Sequence, residues 1–235
     1  MLAAVRKLSR AFAGRSPGEI ARLGVKTLAA RARALSPAAR RAARADRAFD
    51  TRWGTDTSAQ MTMSALDFPL ELRRQSHHYQ ASGPHLLDQA IAAAGIDPAG
   101  FTLIDYGCGK GRIVLLGAQK FAYAIGVEYS PILVAIAERN AATFMARGGA
   151  PRPPRFWQGN AADFEPPAGD LFCYLYNSFG EEILNDCLVR LEAAKAASPA
   201  RRILLAYVDP RHRAVVRARG WRVIGETPAL VVFDA

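Results

Sequence analysis

Leu103-Ile104-Asp105-Tyr106-Gly107-Cys108-Gly109-Lys110-Gly111 is the stretch that decides how this chain folds. An apolar run ends in an acid, and three alternate glycines follow before a helical pattern opens. Glycines there let the backbone turn sharply and let a ligand lie against main-chain amides. A GxGxG alone is a weak signal. Placed directly after a strand and before a helix, it marks the ligand loop of an α/β sheet.

Downstream of the loop the pattern alternates. Residues 101–106 read as a first strand, 111–121 as a helix, 123–128 as a second strand and 131–147 as a second helix, with Pro131 following Ser130. Residues 155–158, 170–176 and 202–208 read as strands three to five, with a helix over 181–197. Two short apolar runs, 221–226 and 230–234, flank Pro228 and predict a terminal hairpin. The expected fold is α/β: a Rossmann-like, doubly wound, seven-stranded, mostly parallel sheet with a C-terminal antiparallel hairpin.

Upstream, two further stretches precede this domain (101–235). Residues 49–100 form a lead-in that ends in an apolar helix near 84–94; its start, 49–60 with Arg52-Trp53-Gly54-Thr55-Asp56, is expected to be a substrate-side lid. Residues 1–48 are an Ala- and Arg-rich helical extension. Ser16-Pro17 and Ser36-Pro37 read there as N-caps followed by first-turn prolines, and Leu2, Val5, Leu8 and Phe12 make a narrow apolar stripe. The formal charge is +10, and the extension holds twelve Lys or Arg against only Glu19 and Asp46. All of the excess lies there, so the basic balance says nothing about the domain. Such an arm fits nucleic acid, an anionic membrane surface or a plain solvated helix, and its composition also mimics an organellar transit peptide.

At 235 residues the chain holds one α/β domain and an extension. No apolar run approaches bilayer length and no secretory signal is visible, so a cytoplasmic location is expected, peripheral at the membrane if the arm binds there. Cys108, Cys173 and Cys187 are odd in number and irregularly spaced, which reads as free thiols in a reducing compartment. His77, His78, His85 and His212 form no ligand pattern with them, and no metal is expected.

Three segments join the glycine loop as carriers of chemistry. Glu128 ends the second strand, where an acid beside the ligand crevice can accept hydrogen bonds from both ribose hydroxyls of an adenosine; Ser130 is available to cap the next helix. Gln158-Gly159-Asn160-Ala161-Ala162-Asp163 follows the third strand and fits either an adenine edge or an ordinary turn. Tyr176-Asn177-Ser178-Phe179-Gly180 leaves the fourth strand. There Asn177 can accept a hydrogen bond from a nucleophilic amine, with Tyr176 and Phe179 as walls that also suit a cationic sulfonium; core aromatics and an Asn turn fit equally.

In this order the four pieces resemble the class I S-adenosylmethionine-dependent methyltransferases over residues 101–235, most specifically in IDYGCGKG followed one helix later by GVEYS. The resemblance implies a seven-stranded sheet with a reversed final hairpin and S-adenosylmethionine as cofactor. It also implies cofactor contacts at Asp105, Gly107, Gly109, Gly111, Glu128, Asn160 and Ala161. Tyr79-Gln80-Ala81-Ser82, taken with YNSFG, looks like bacterial relatives of the non-SET histone lysine methyltransferases and of small lysine methyltransferases with a Tyr-x-Pro/Ala-Ser/Thr lead-in. In those enzymes the lead-in closes over the cofactor and an Asn-aromatic motif faces the target amine. That implies a cofactor contact at Tyr79, which fits a packing aromatic equally well, and catalytic side chains at Asn177, Tyr176 and Phe179. Ser178 departs from the proline that many N-methyltransferases carry. The expected reaction is methyl transfer to an amine, protein lysine before RNA or a small molecule, without a general base.

An NAD-dependent oxidoreductase shares the glycine turn and strand-end acid, but its fingerprint places Gly or Ala at position 112, where this chain has Arg112. A phosphate-binding Walker loop is excluded, because no GxxxxGK[ST] occurs. A non-catalytic binding module on the same fold stays open.

Overall fold

The computed structural model describes residues 37–59, 61 and 82–235. The chain divides into two units, Met1–Arg44 and Ala45–Ala235. The apolar stripe at Leu2–Phe12, both Ser-Pro caps' serines, His77, His78 and Tyr79 lie outside the described residues.

Strands β1 (Thr102–Tyr106), β2 (Tyr123–Glu128), β3 (Arg155–Gln158), β4 (Leu171–Tyr176), β5 (Ile203–Val208), β6 (Arg222–Glu226) and β7 (Leu230–Asp234) form one sheet in the order β3-β2-β1-β4-β5-β7-β6. The first five are parallel, and β7 inserts antiparallel between β5 and β6. The expected seven-stranded sheet with its reversed terminal hairpin is present. LFCYLY of β4 and ILLAYV of β5 are apolar almost throughout because both faces of the sheet are covered there.

The helices are α1 (Pro37–Trp53), α2 (Pro84–Ala94), α3 (Arg112–Ala118), α4 (Pro131–Ala146), α5 (Glu181–Ala197) and α6 (Arg213–Ala218). On one face of the sheet, Ile104, Tyr106, Cys173, Leu175, Leu205 and Tyr207 pack with Leu184, Cys187, Leu188 and Leu191 of α5. On the other, Leu103, Phe172, Tyr174, Leu204 and Ala206 pack with Leu86, Leu87 and Ala90 of α2 and with Ile113 and Val114 of α3. A third, small cluster joins Phe49 of α1 to Leu115 of α3 and to Ala141 and Phe144 of α4, with the Trp53 ring centre 4.6 Å from that of Phe144 and tilted 59° to it.

Ser130 caps α4 as its sequence predicts: Oγ accepts from the Leu133 amide at 3.3 Å, with Pro131 in the first turn. Two helical features were not expected. The short helix α6 follows β5, and α1 runs on past residue 48 to Trp53, where Gly54 at φ +68° ends it. Among the described residues no helix is long and apolar enough to cross a membrane, and no three His, Cys, Asp or Glu side chains converge as a metal site. The three cysteines are buried free thiols.

Candidate functional site

Strand order reverses between β1 and β4, because β2 and β3 extend the sheet one way and β4 and β5 the other. In open α/β sheets the crevice at such a switch point, beyond the strands' carboxyl ends, receives the ligand. The four segments singled out in the sequence all leave strands at this edge.

The glycine loop leaves β1 with Gly107, Gly109 and Gly111 at φ +76°, +56° and +86°, the left-handed region that residues with a Cβ rarely adopt. Its amides are already committed in part. Gly107 and Cys108 donate to the Val127 carbonyl at 2.8 and 3.1 Å, and Gly111 donates to that of Cys108 at 2.9 Å. At Gly107 an added Cβ would lie 2.4 Å from the Cβ of Ser178, so this glycine is required by close approach as well as by φ.

Glu128 sits at the end of β2 with both carboxylate oxygens held by backbone. Oε2 accepts from the Gly109 amide and Oε1 from the Ser130 amide, each at 2.9 Å. Burial pushes its pKa up, and those amides only partly offset the push. Asp105 lies on the neighbouring strand, 4 % exposed, and its carboxylate has neither a cation nor a hydrogen-bond donor among the described residues. Burial, and then the charge of Glu128, drive it well above the usual carboxylate range. Two buried carboxylates, with no counter-charge among the described residues, therefore line the crevice beside the loop.

After β3, Asn160 caps the short 3-10 turn Ala161–Asp163, its Oδ1 accepting from the Ala162 amide at 3.1 Å. The turn reading thus accounts for this oxygen. Gly159 donates to the Glu128 carbonyl at 3.0 Å, which brings the Asn160-Ala161 segment beside β2.

After β4, Asn177 is 4 % exposed and takes φ +40°, a conformation that Asn tolerates better than most residues. Its Oδ1 accepts from the Tyr207 hydroxyl at 3.4 Å, and the same phenol oxygen accepts from the His212 amide at 3.3 Å. Ser178 donates from Oγ to the Tyr106 carbonyl at 3.1 Å, tying this turn to the start of the glycine loop. Serine rather than proline at 178 is thus explained by what it holds. Tyr176 continues the alternation of Phe172 and Tyr174 and packs on the α2 face, whereas Phe179, beyond the left-handed Asn177, is buried in the α5-side core. The two rings lie on opposite faces of the sheet.

Sequence reading missed Lys110 and Arg112, which flank the third glycine and are 1 % and 2 % exposed. Arg112 had counted only as a departure from the dinucleotide fingerprint. Its partners come from α1 and the turn after it: Asp46, Asp50 and Thr57, while Lys110 pairs with Asp56 at 3.0 Å. The available signal was Asp46 and Asp50 four apart on one helical face, with a Thr/Asp-rich turn following.

No family model and no curated protein matches this chain. Solved structures similar to it include a magnesium protoporphyrin IX methyltransferase from Synechocystis PCC 6803 with bound S-adenosylmethionine (20 % identity over 64 % of this chain and 78 % of that one, TM-score 0.45). An RNA methyltransferase from Salinibacter ruber in complex with S-adenosylhomocysteine shares 22 % identity over 66 % and 92 %, TM-score 0.45. Precorrin 8W decarboxylase from Methanobacterium thermoautotrophicum shares 16 % over 77 % and 96 %, TM-score 0.48. At such distances, what the site does has to be read from its own residues.

Proposed function

We propose that the protein is an S-adenosylmethionine-dependent methyltransferase whose cofactor lies across the carboxyl ends of β1 and β2. The observation that carries this reading is the pair of buried carboxylates, Asp105 and Glu128, beside the three-glycine loop. Such a crevice repels a pyrophosphate, which counts against a dinucleotide, and favours a ligand that brings positive charge. S-adenosylmethionine carries an ammonium and a sulfonium together with a ribose diol. Asp105, with no cation or donor on it among the described residues, suits the ammonium. Glu128, aimed by two amides, keeps lone pairs for the two ribose hydroxyls. Arg112, buried and committed elsewhere, occupies the position where a dinucleotide site packs a glycine.

When bound, the cofactor supplies a methyl group already activated on sulfur. The protein's part is alignment and exclusion of water. Asn177 stands at the end of β4 with Oδ1 oriented by Tyr207, and can accept a hydrogen bond from an amine so that its lone pair faces the methyl group. Burial around it favours the neutral amine, the reactive form. Tyr176 and Phe179 pack on opposite faces of the sheet, and the acceptor is assigned as an amine and no more narrowly.

Calorimetry with S-adenosylhomocysteine tests the cofactor assignment. The wild-type protein is expected to bind it. Asp105→Asn is expected to lose about 1.5–3 kcal/mol, the worth of a charged hydrogen bond, or roughly ten- to a hundredfold in Kd. Binding of NADH with no binding of S-adenosylhomocysteine would overturn the assignment. Label transfer from methyl-tritiated S-adenosylmethionine into a fractionated lysate then sorts protein from nucleic-acid and low-mass acceptors.

A further inference from the structure

Lys110 and Arg112 present a physical problem that cofactor binding does not answer. Both are almost wholly buried, and a buried cation persists only when paired and hydrogen-bonded. Both find acidic partners in one short stretch, residues 46–58. Arg112 reaches Asp46 with one arm of its fork, stands 3.7 Å from Asp50 with the other, and donates from Nε to Thr57 Oγ1 at 2.7 Å; its guanidinium also sits 5.5 Å from the Phe49 ring centre. Asp50 in turn folds the following turn around itself. Its carboxylate accepts from Thr55 Oγ1 and Thr57 Oγ1 at 2.7 Å, from the Thr57 amide at 2.9 Å and from the Ser58 amide at 2.8 Å.

The backbone of the loop is held as well. Asn140 of α4 donates from Nδ2 to the Lys110 carbonyl at 3.0 Å and to the Asp56 carbonyl at 3.1 Å, while its Oδ1 accepts from the Asp56 amide at 2.8 Å. Lys110 Nζ meets the Asp56 carboxylate on the same side. Anchoring α1 needs none of this, because Phe49 and Trp53 already pack on Phe144 and its neighbours. Apolar contact positions a helix, whereas directional charges on both neighbours of Gly111 fix a loop.

We propose that residues 46–58 form a clasp that holds the glycine loop in its ligand-receiving shape, with Arg112, Lys110 and Asn140 as positioning residues for the cofactor site. Three left-handed glycines in five residues have many conformations to lose, and a loop that is competent only part of the time binds correspondingly more weakly. The clasp removes the competing shapes from the side opposite the ligand. By linkage, a ligand on the loop must also tighten the clasp. The proposal rests on the cofactor reading for what the loop receives, though not for the clasp itself.

Hydrogen exchange on the full-length, ligand-free protein tests it through the amides of Gly107, Cys108, Gly109 and Gly111, all hydrogen-bonded in the loop. In Arg112→Gln these amides are expected to exchange about tenfold faster, the size of a typical coupling between two sites, while β4 and β5 stay protected. Arg112→Lys, which keeps the charge, recovers part of the protection. Asp56→Asn, at a half-exposed position, gives a smaller effect in the same amides and decides the matter if Arg112→Gln does not fold. The Kd for S-adenosylhomocysteine rises with the exchange rate across the series, and in turnover the loss falls on KM for the cofactor rather than on kcat. Loop amides that keep their wild-type rate while 46–58 loosens would overturn the clasp. A wild-type protein that binds no S-adenosylhomocysteine would instead overturn the cofactor reading, and the ligand-free exchange would still judge the clasp.

Discussion

The glycine loop has carboxylates on both sides, in opposite electrostatic states. On the crevice side, Asp105 and Glu128 are buried with no cation on them among the described residues, and both pKa values are raised, chiefly by that burial. On the α1 side, Asp46, Asp50 and Asp56 stand against Arg112 and Lys110. Burial also pushes Asp50 upward, but hydrogen bonds from Ser58, Thr57 and Thr55 outweigh it and leave the pKa lowered. Burial by itself therefore does not mark a binding site; burial without a counter-charge does. Among the described residues one set has its counter-charges, and the other has none.

The sharpest way to break this contrast is to remove one charge from each side and measure urea midpoints without ligand. Arg112→Gln leaves carboxylates facing a neutral group in a buried place, and the expected loss is about 3–5 kcal/mol. Asp105→Asn takes away a charge that the folded state disfavours, so its midpoint is expected to hold or rise even as cofactor binding is lost. Stability surrendered for function is the usual signature of a binding site. Comparable losses in both variants would mean that the two sides do not differ.

Acidification separates the same two sets by sign. A carboxylate whose pKa is raised on folding takes up its proton more readily in the native state. The ligand-free protein therefore gains stability from Asp105 and Glu128 as pH falls from neutral through their raised values. Asp50 acts the other way: its contribution is in place above the ordinary aspartate range and disappears only as pH falls through its lowered value. Midpoints taken along a pH series should rise first and collapse later. Affinity for S-adenosylhomocysteine should fall within the first window, since the charges that attract the ligand are being neutralised. An affinity that stays flat there would remove Asp105 and Glu128 from the binding account.

Much of this was legible in the sequence. Short apolar runs alternating with helical patterns marked the sheet, and β2, β3, β7 and α5 begin and end where their patterns do. Asp105, the glycines and Glu128 could be read because strand ends and turns are local features. Other parts were hidden for physical reasons. Arg112 finds Asp46 across 66 residues of chain, a pairing that no local pattern announces. Tyr176 could have been placed by alternation with Tyr174, but the left-handed turn at Asn177 redirects the chain and sends Phe179 to the opposite face. Asn160 offered two roles of equal merit, and the cap it makes became visible only in three dimensions.

The smallest expected effect concerns a third restraint on the loop, one that carries no charge. Ser178 reaches the glycine loop from β4, its Oγ on the Tyr106 carbonyl and its Cβ in the space that a side chain at 107 would need. Ser178→Ala keeps the Cβ and loses only the hydroxyl, so about 0.5–1.5 kcal/mol of stability should go with the hydrogen bond. Because both groups are neutral, that loss should not change with salt. The loss in Asp56→Asn should shrink as salt rises, since the Asp56 side chain is 57 % exposed and its attraction for Lys110 is open to screening. Urea midpoints of the two variants at low and high ionic strength make the comparison. If both respond to salt alike, the loop is not held by a charged restraint on one side and a neutral one on the other. If only Asp56→Asn responds, the neutral contact fixes where the loop begins and the charged clasp fixes where it ends.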